Sequence, residues 1–553
     1  CERLQHIHSA GLLRVGSGHA GFSDASQNQS FASMGRAVGR RPFRFTKTAA
    51  GDARQIGAVA RHRTRAGFRR AVVVSHTMSE HRKSILALLA LALALRVIFL
   101  LLAGVNAPLT GDEFAYQQIA ENVAAGRGLF QTNNPFFPGQ ALYAWQAPLY
   151  PFTLGALYAL LGNQIFLAKL FGVLVGTATV YVVYDTARRV FRAATDETRA
   201  ERIALGAGLI VAVYPGFLTL AHLLLSEGLF IFFLLGAFDC LARALEGTGG
   251  RRWAWLVAGA LAWGLATLTR GLTLYFTPFL ALWLGAALWR ETKADAPNAR
   301  ADGASKRLLL KVILPALGLA LIALAVIAPY TARNYFQFRQ FVLLETKGGV
   351  NLWLGNSPYT PYEFIRNVWK VSVREPMLKV LPQDEIARDR AAYALALGYM
   401  RAHPLAVLAR VPAKFADFWG FERNLVDVAE ATRAGGGWNS VAKIMMDLYG
   451  AAAYMIIALG GMAGLIYAPR DRWKILFGGF ILYFLALHLL IFGDGRFHLP
   501  LIPFLALYAA WLAAERQRVA YARTHTGWVV GGAALLLAAW TREAWAAWQM
   551  LGH

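Results

Sequence analysis

Residues 78–104 read MSEHRKSILALLALALALRVIFLLLAG, a short basic flank followed by an apolar run that only Arg96 interrupts. A run of this length exceeds the ~18 apolar residues that mark a membrane-crossing helix. The same signature recurs along the chain, at helix length and without the period-two alternation of a membrane barrel. Of 553 residues, 57% are hydrophobic and 16% charged, more apolar surface than a soluble fold of this size can bury. The sequence therefore predicts an all-α polytopic integral membrane protein. The net charge of +24 does not point to nucleic acid, because the basic residues sit in short loops between apolar runs. Two cysteines, Cys1 and Cys240, imply neither a disulfide framework nor a thiolate metal site.

Upstream of Met78, 13 Lys/Arg stand against 3 Asp/Glu with no sustained periodicity. Residues 1–77 read as an upstream extension of the reading frame or a disordered basic leader, with an organellar transit peptide as the weaker alternative. Hydropathy predicts about eleven spans (range 9–13), near 84–104, 165–186, 203–224, 228–245, 253–269, 271–289, 308–329, 444–467, 475–492, 497–514 and 527–541. They divide the chain into an N-terminal membrane module, 78–329, a long outer loop, 330–442, and C-terminal helices, 443–553. Arg188, Arg189, Arg192, Arg199, Arg202, Arg243, Arg251, Arg252, Arg290, Lys293, Lys306, Arg307, Lys311, Arg470, Arg472, Lys474, Arg516, Arg518 and Arg523 all fall in one set of connections, which the positive-inside rule places in the cytoplasm. The first loop, 105–164, then faces outward, as do the turns at 222–227 and 267–271, the long loop and the GDGR stretch at 493–496. Residues 141–162 are apolar enough for a span, but two prolines and interfacial Trp145, Tyr143 and Tyr150 read as a helix lying in the outer interface. Residues 384–415 read as amphipathic helices broken at Pro404, and 345–358 as an ordered Gly/Asn-rich loop.

The first span leaves the bilayer on an acidic pair, Asp112–Glu113, in LTGDEFAYQQIAENVAAGRG at 109–128. The outward positions also collect His222, Ser226, Glu227, Arg270, Arg333, Lys347, Asp494, Arg496 and His498. Each has a plain reading. An arginine at a span end is a snorkelling anchor, and Glu227 or the Asp112–Glu113 pair suits a helix N-terminus. Their convergence on one face from separated segments suits chemistry on an anionic lipid: cations hold a phosphate leaving group while a carboxylate takes a proton from a hydroxyl.

The runs GDEFAYQQIAENVAAGRG, QAPLYPFTLGALYALLG, LLLSEGLFIFFL, LATLTRG, PYTARNYFQF, ETKGGVNLWLGNSP and GDGRFHLPLIPFLALY, in that order, resemble the bacterial dolichyl-phosphate-mannose-protein mannosyltransferase-like group. That group includes the aminoarabinose and galacturonic acid transferases, GT-C enzymes that take a sugar from a polyprenyl-phosphate donor on the outer membrane face. The resemblance runs from about Ser84 to about Ala514. It implies that Asp112 is the base or orients the acceptor, with Glu113 in support. Arg270, Arg333, Lys347 and Arg496 become candidates for the donor phosphate. His222, Glu227, Asn351, Asn356 and His498 become acceptor or auxiliary candidates. A divalent cation, Mg or Mn, is compatible with these carboxylates, although no spacing is diagnostic.

The leading expectation is thus a glycosyltransferase of the bacterial inner membrane, working on the periplasmic side. Its partners would be a polyprenyl-phosphate sugar donor, a glycan, lipid or protein acceptor, and the bilayer. The alternatives are a glycolipid transporter or flippase and a non-catalytic envelope assembly factor. Transporters place polar groups at the bilayer midplane, where these spans carry almost none.

Overall fold

The computed structural model describes residues 81–102, 108–295, 308–422, 440–519 and 523–551, all within one compact unit, His76–His553. The leader expected over 1–77 lies outside the described residues, as do Met78, Lys306, Arg307 and 423–439 of the long loop. Among the described residues every regular element is helical, apart from an isolated bridge between Gln131 and Leu142.

The first half holds α1 (His81–Leu102), α2 (Glu113–Ala124), α3 (Leu149–Leu161), α4 (Ile165–Arg192), α5 (Glu197–Val213), α6 (Pro215–Leu220), α7 (Glu227–Glu246), α8 (Gly249–Thr269) and α9 (Thr273–Asp295). The second half holds α10 (Leu314–Phe338), α11 (Gly348–Gly355), α12 (Val371–Lys379), α13 (Glu385–Ala402), α14 (Pro404–Ala409), α15 (Val411–Phe418), α16 (Ser440–Tyr467), α17 (Arg472–Leu490), α18 (Ile502–Ala514) and α19 (Thr526–Leu551). Six are long and apolar enough to cross a bilayer: α1, α4, α7, α10 with the turn that precedes it, α16 and α17. The other expected spans fall on α5, α8, α9, α18 and α19, which are shorter or less apolar. The central helix is α7, with 67% of its span buried against 28–39% in the other five.

Several expectations change. The span expected over 203–224 breaks at Tyr214–Pro215, because proline lacks the N–H that would satisfy Val211 and its ring opposes the preceding turn. Buried Arg96 of α1 donates to the freed carbonyls of Val211 (3.2 Å) and Ala212 (3.3 Å), and Tyr449 Oη donates to that of Val213 (2.6 Å). The span expected to end at 329 continues through Pro329 to Phe338. Asn334 secures the added turns by donating to the carbonyls of Val342 and Leu344. The 345–358 loop contains a helix, α11. Its glycines serve close packing instead of flexibility: a Cβ on Gly349 would lie 2.1 Å from the Asp389 carbonyl, and one on Gly355 would lie 1.7 Å from that of Ile491.

Helix α3 has 13 residues, about 20 Å of rise against a ~30 Å hydrocarbon core. The break expected at Pro404 separates α13 from α14. The two loop segments share one core, in which Phe137, Leu142 and Trp145 of the first loop pack with Val350, Trp353, Met377 and Ala396 of the second.

Candidate active site

Four charged side chains from four separated segments form a chain where the long helices meet the packed loop segments. Asp112 Oδ2 lies 2.5 Å from Arg496 Nη2. Arg496 Nε lies 3.8 Å from Glu227 Oε1, and Glu227 Oε1 lies 2.6 Å from Arg270 Nη1. Each residue sits at an element boundary. Asp112 precedes α2, Glu227 opens α7, Arg270 ends α8, and Arg496 lies in the turn between α17 and α18. That turn is tightened by Asp494, whose Oδ1 accepts the Arg496 amide (3.1 Å).

The two carboxylates differ in access. Glu227 is 4% exposed and held between two guanidinium groups, whereas Asp112 keeps 43% of its surface. Burial pushes the Asp112 carboxyl up, but Arg496, then Lys347 and Arg270, outweigh it and hold the group below the usual aspartate value. Burial depresses Arg270 and Arg496, and the facing carboxylates reverse this, so both are raised.

The acidic pair divides its labour. Asp112 makes no capping bond with its side chain. Glu113 accepts the Thr110 amide (3.0 Å) and hydroxyl (3.1 Å) on one oxygen and the Leu224 amide (2.8 Å) on the other. Glu113 therefore ties the start of α2 to the turn before α7, and that tie sets Asp112 opposite Arg496.

Lys347, at the start of α11, donates to Gln146 (2.8 Å) and pairs with Glu345 (3.0 Å). Gln146 also lies 3.5 Å from the Tyr116 hydroxyl, which donates to Ser226 (3.0 Å) beside Glu227. Burial and the charges of Glu227 and Asp112 push Tyr116 well above an ordinary tyrosine, so it stays a donor. Tyr116, Gln146 and Glu345 were missed in the sequence. Only Tyr116 carried a signal, standing one helical turn after Asp112.

The other candidates lie elsewhere. Arg333 donates to the carbonyls of Tyr143 (2.8 Å) and Leu129 (2.6 Å), which secures the first loop. His222 is buried against Phe99, with Nδ1 3.4 Å from the Leu218 carbonyl; burial first, and then Lys169, push it down to about 3. Asn351 is half-buried on α11. Asn356 donates to the Leu490 carbonyl (2.8 Å) and accepts from Lys414 (3.0 Å). His498 is fully buried beneath Arg496.

Among the described residues no three His, Cys, Asp or Glu side chains stand together to hold a metal. Asp112 and Glu227 are each faced by guanidinium groups, a donor set that does not fit Mg or Mn. What the arrangement offers is an accessible ionised carboxylate beside two guanidinium groups and an ammonium. That suits proton removal next to a bound phosphate.

Residues 145–299 match the family model described as dolichyl-phosphate-mannose-protein mannosyltransferase. No curated protein sequence matches the chain. Among solved structures, it is similar to the oligosaccharyltransferase AglB from Archaeoglobus fulgidus, in complex with an inhibitory peptide and a dolichol-phosphate. The similarity covers 82% of this chain and 55% of that one, at 16% identity and a TM-score of 0.44. The chain thus spans about half the length of that protein. ArnT from Cupriavidus metallidurans, bound to undecaprenyl phosphate, is similar over 77% of each chain, at 16% identity and a TM-score of 0.32.

Proposed function

We propose, from the match of residues 145–299 to the dolichyl-phosphate-mannose-protein mannosyltransferase family model, that the chain moves a sugar from a polyprenyl-phosphate donor to an acceptor hydroxyl on the outer face of a bacterial inner membrane. The acceptor is an envelope glycan, a lipid or a protein. The observation that carries this reading is the Asp112–Arg496–Glu227–Arg270 chain, with its one exposed carboxylate at the open end.

The donor phosphate enters beside Arg496 and Arg270, with Lys347 as a third cation. Arg496 turns from Asp112 toward the phosphate oxygens, a better bidentate partner. Asp112 thereby loses the charge that depressed its basicity at the moment it must accept a proton. The acceptor oxygen bonds to the anomeric carbon and its proton passes to Asp112. The bond from that carbon to the phosphate oxygen breaks, its electron pair leaving with the polyprenyl phosphate. Arg270 and Arg496 stabilise the charge that grows on this leaving group. Glu227, buried between them, keeps both arginines aimed.

The test is mass spectrometry of polyprenyl-phosphate lipids and envelope glycans in a strain lacking the chain, complemented with native protein or with Asp112→Asn at equal membrane abundance. Loss of one sugar from a glycan in the deletion and the variant, with the lipid-linked sugar retained, is the expected result. Full restoration by Asp112→Asn removes the base from the mechanism and returns Asp112 to a helix-start role.

A further inference from the structure

His498 stands two residues beyond Arg496 and belongs to none of the chemistry above, yet it sits in a built enclosure. Its ring lies parallel to Tyr454 (4.5 Å, 12°) and to Trp419 (5.9 Å, 15°). Nδ1 is 2.8 Å from the Phe418 carbonyl, which only accepts, so Nδ1 carries a proton. Nε2 is 3.1 Å from Oε1 of Glu422, which is 5% exposed and also accepts from the Tyr214 hydroxyl. Both ring nitrogens face acceptors, the bonding pattern of an imidazolium, and the flanking aromatic faces favour that cation.

The same segment holds the arginine turn from below. A Cβ on Gly493 would lie 2.4 Å from the Lys414 carbonyl, and one on Gly495 would lie 2.4 Å from that of Phe421. The turn is thus pressed on 414–421 through two glycines and locked there by the two bonds of His498. Gly216, at the break after α5, completes the enclosure, since a Cβ there would stand 2.1 Å from Glu422 Oε2.

We propose that the buried His498–Glu422 pair positions Arg496 against Asp112 and the donor phosphate. The inference rests on the function proposed above. His498 acts only through Arg496 and is a positioning residue. Tyr454 on α16 and Tyr214 after α5 face the pair directly. The other ionisable groups on the packed elements are Asp417 and Lys414 of α15, His488 of α17, Arg542 and Glu543 of α19, and Asp494 in the turn itself.

The experiment measures undecaprenyl phosphate binding to the full chain in nanodiscs. His498→Gln is expected to bind about tenfold more weakly than the native protein, the effect of one charge-assisted hydrogen bond. Glu422→Gln keeps an acceptor but removes the charge, and its loss is expected to be smaller than that of His498→Gln. Gly216→Ala displaces Glu422 and is expected to behave like Glu422→Gln. In an Arg496→Ala background, His498→Gln is expected to add nothing.

Native affinity in His498→Gln overturns the inference, and so does an undiminished effect of His498→Gln in the Arg496→Ala background. If Arg496→Ala alone leaves binding unchanged, the phosphate reading of the site fails, and the inference fails with it.

Discussion

The molecule carries two charged networks at opposite ends of α7, and they are built differently. At the α7 C-terminal end, Asp185 pairs with Arg189 (2.7 Å) and Arg243 (2.5 Å), and Asp239 pairs with Arg243 (2.7 Å). The Asp185–Arg189 and Asp239–Arg243 pairs have i,i+4 spacing, so two adjacent helices supply everything from one turn each. Both carboxylates are nearly buried, at 6% and 10% exposure. At the N-terminal end the charges come from four breaks between elements, and one carboxylate is 43% exposed. The first network staples α4 to α7. The second leaves one carboxylate open at its end.

The sharpest test of that contrast exchanges the roles. Asp112→Asn should lower transfer by about 10²–10⁴-fold, the usual worth of a general base, with an unchanged unfolding temperature. Asp185→Asn should leave transfer per folded molecule intact and cost about 1–3 kcal/mol, because Arg189 and Arg243 lose their shared carboxylate while keeping Glu246 and Asp239; thermal unfolding in detergent reads the difference. A collapse of stability in Asp112→Asn would make the two networks alike.

Arg496→Ala and Arg270→Ala should each weaken undecaprenyl phosphate binding about 10- to 100-fold, as loss of a charge-assisted contact predicts. No such loss is expected for Arg333→Ala, whose guanidinium is committed to backbone carbonyls. The pH dependence sharpens the comparison further. Asp112 is depressed chiefly by Arg496 against the opposing effect of burial. Its readiness as a base is therefore full above the ordinary aspartate value of about 4 and vanishes as pH falls through the lower folded value. Arg496→Ala should move that acid loss to higher pH, seen in a pH–rate profile. The smallest effect belongs to Gln146→Ala, which frees Lys347 from one bond (2.8 Å) and should change turnover only about threefold, within the net worth of one hydrogen bond.

Charge was legible in the sequence because it is expensive beside apolar runs. Asp112, Glu227, Arg270 and Arg496 stood out for that reason, and the structure brings the four together. Neutral partners such as Tyr116 and Gln146 were not legible, since a tyrosine or glutamine at an interface has many ordinary uses. The Gly/Asn-rich 345–358 segment reads as loop by propensity, and only three-dimensional contact shows that Gly349 and Gly355 let α11 approach its neighbours. Pro215 was visible, but apolar continuity on both sides outweighed it. Arg333 shows the converse error, because a cation in the right place by sequence is spent on backbone carbonyls that no hydropathy profile displays.

Arg96 also bears on biogenesis. Alone in the bilayer, α1 carries a guanidinium near its middle at a cost of about 2.5–3.5 kcal/mol on insertion scales, although its long apolar run keeps it a competent span. Its own helix supplies one acceptor, the Ala92 carbonyl, and the other two arise only where α5 breaks, 115 and 116 residues later. The nascent chain therefore holds a partly met charge until α5 is delivered, so α1 and α5 mature as a pair. A chain truncated before α5 would display that charge to the quality-control machinery of the membrane, as a mark of incompleteness written into its first span.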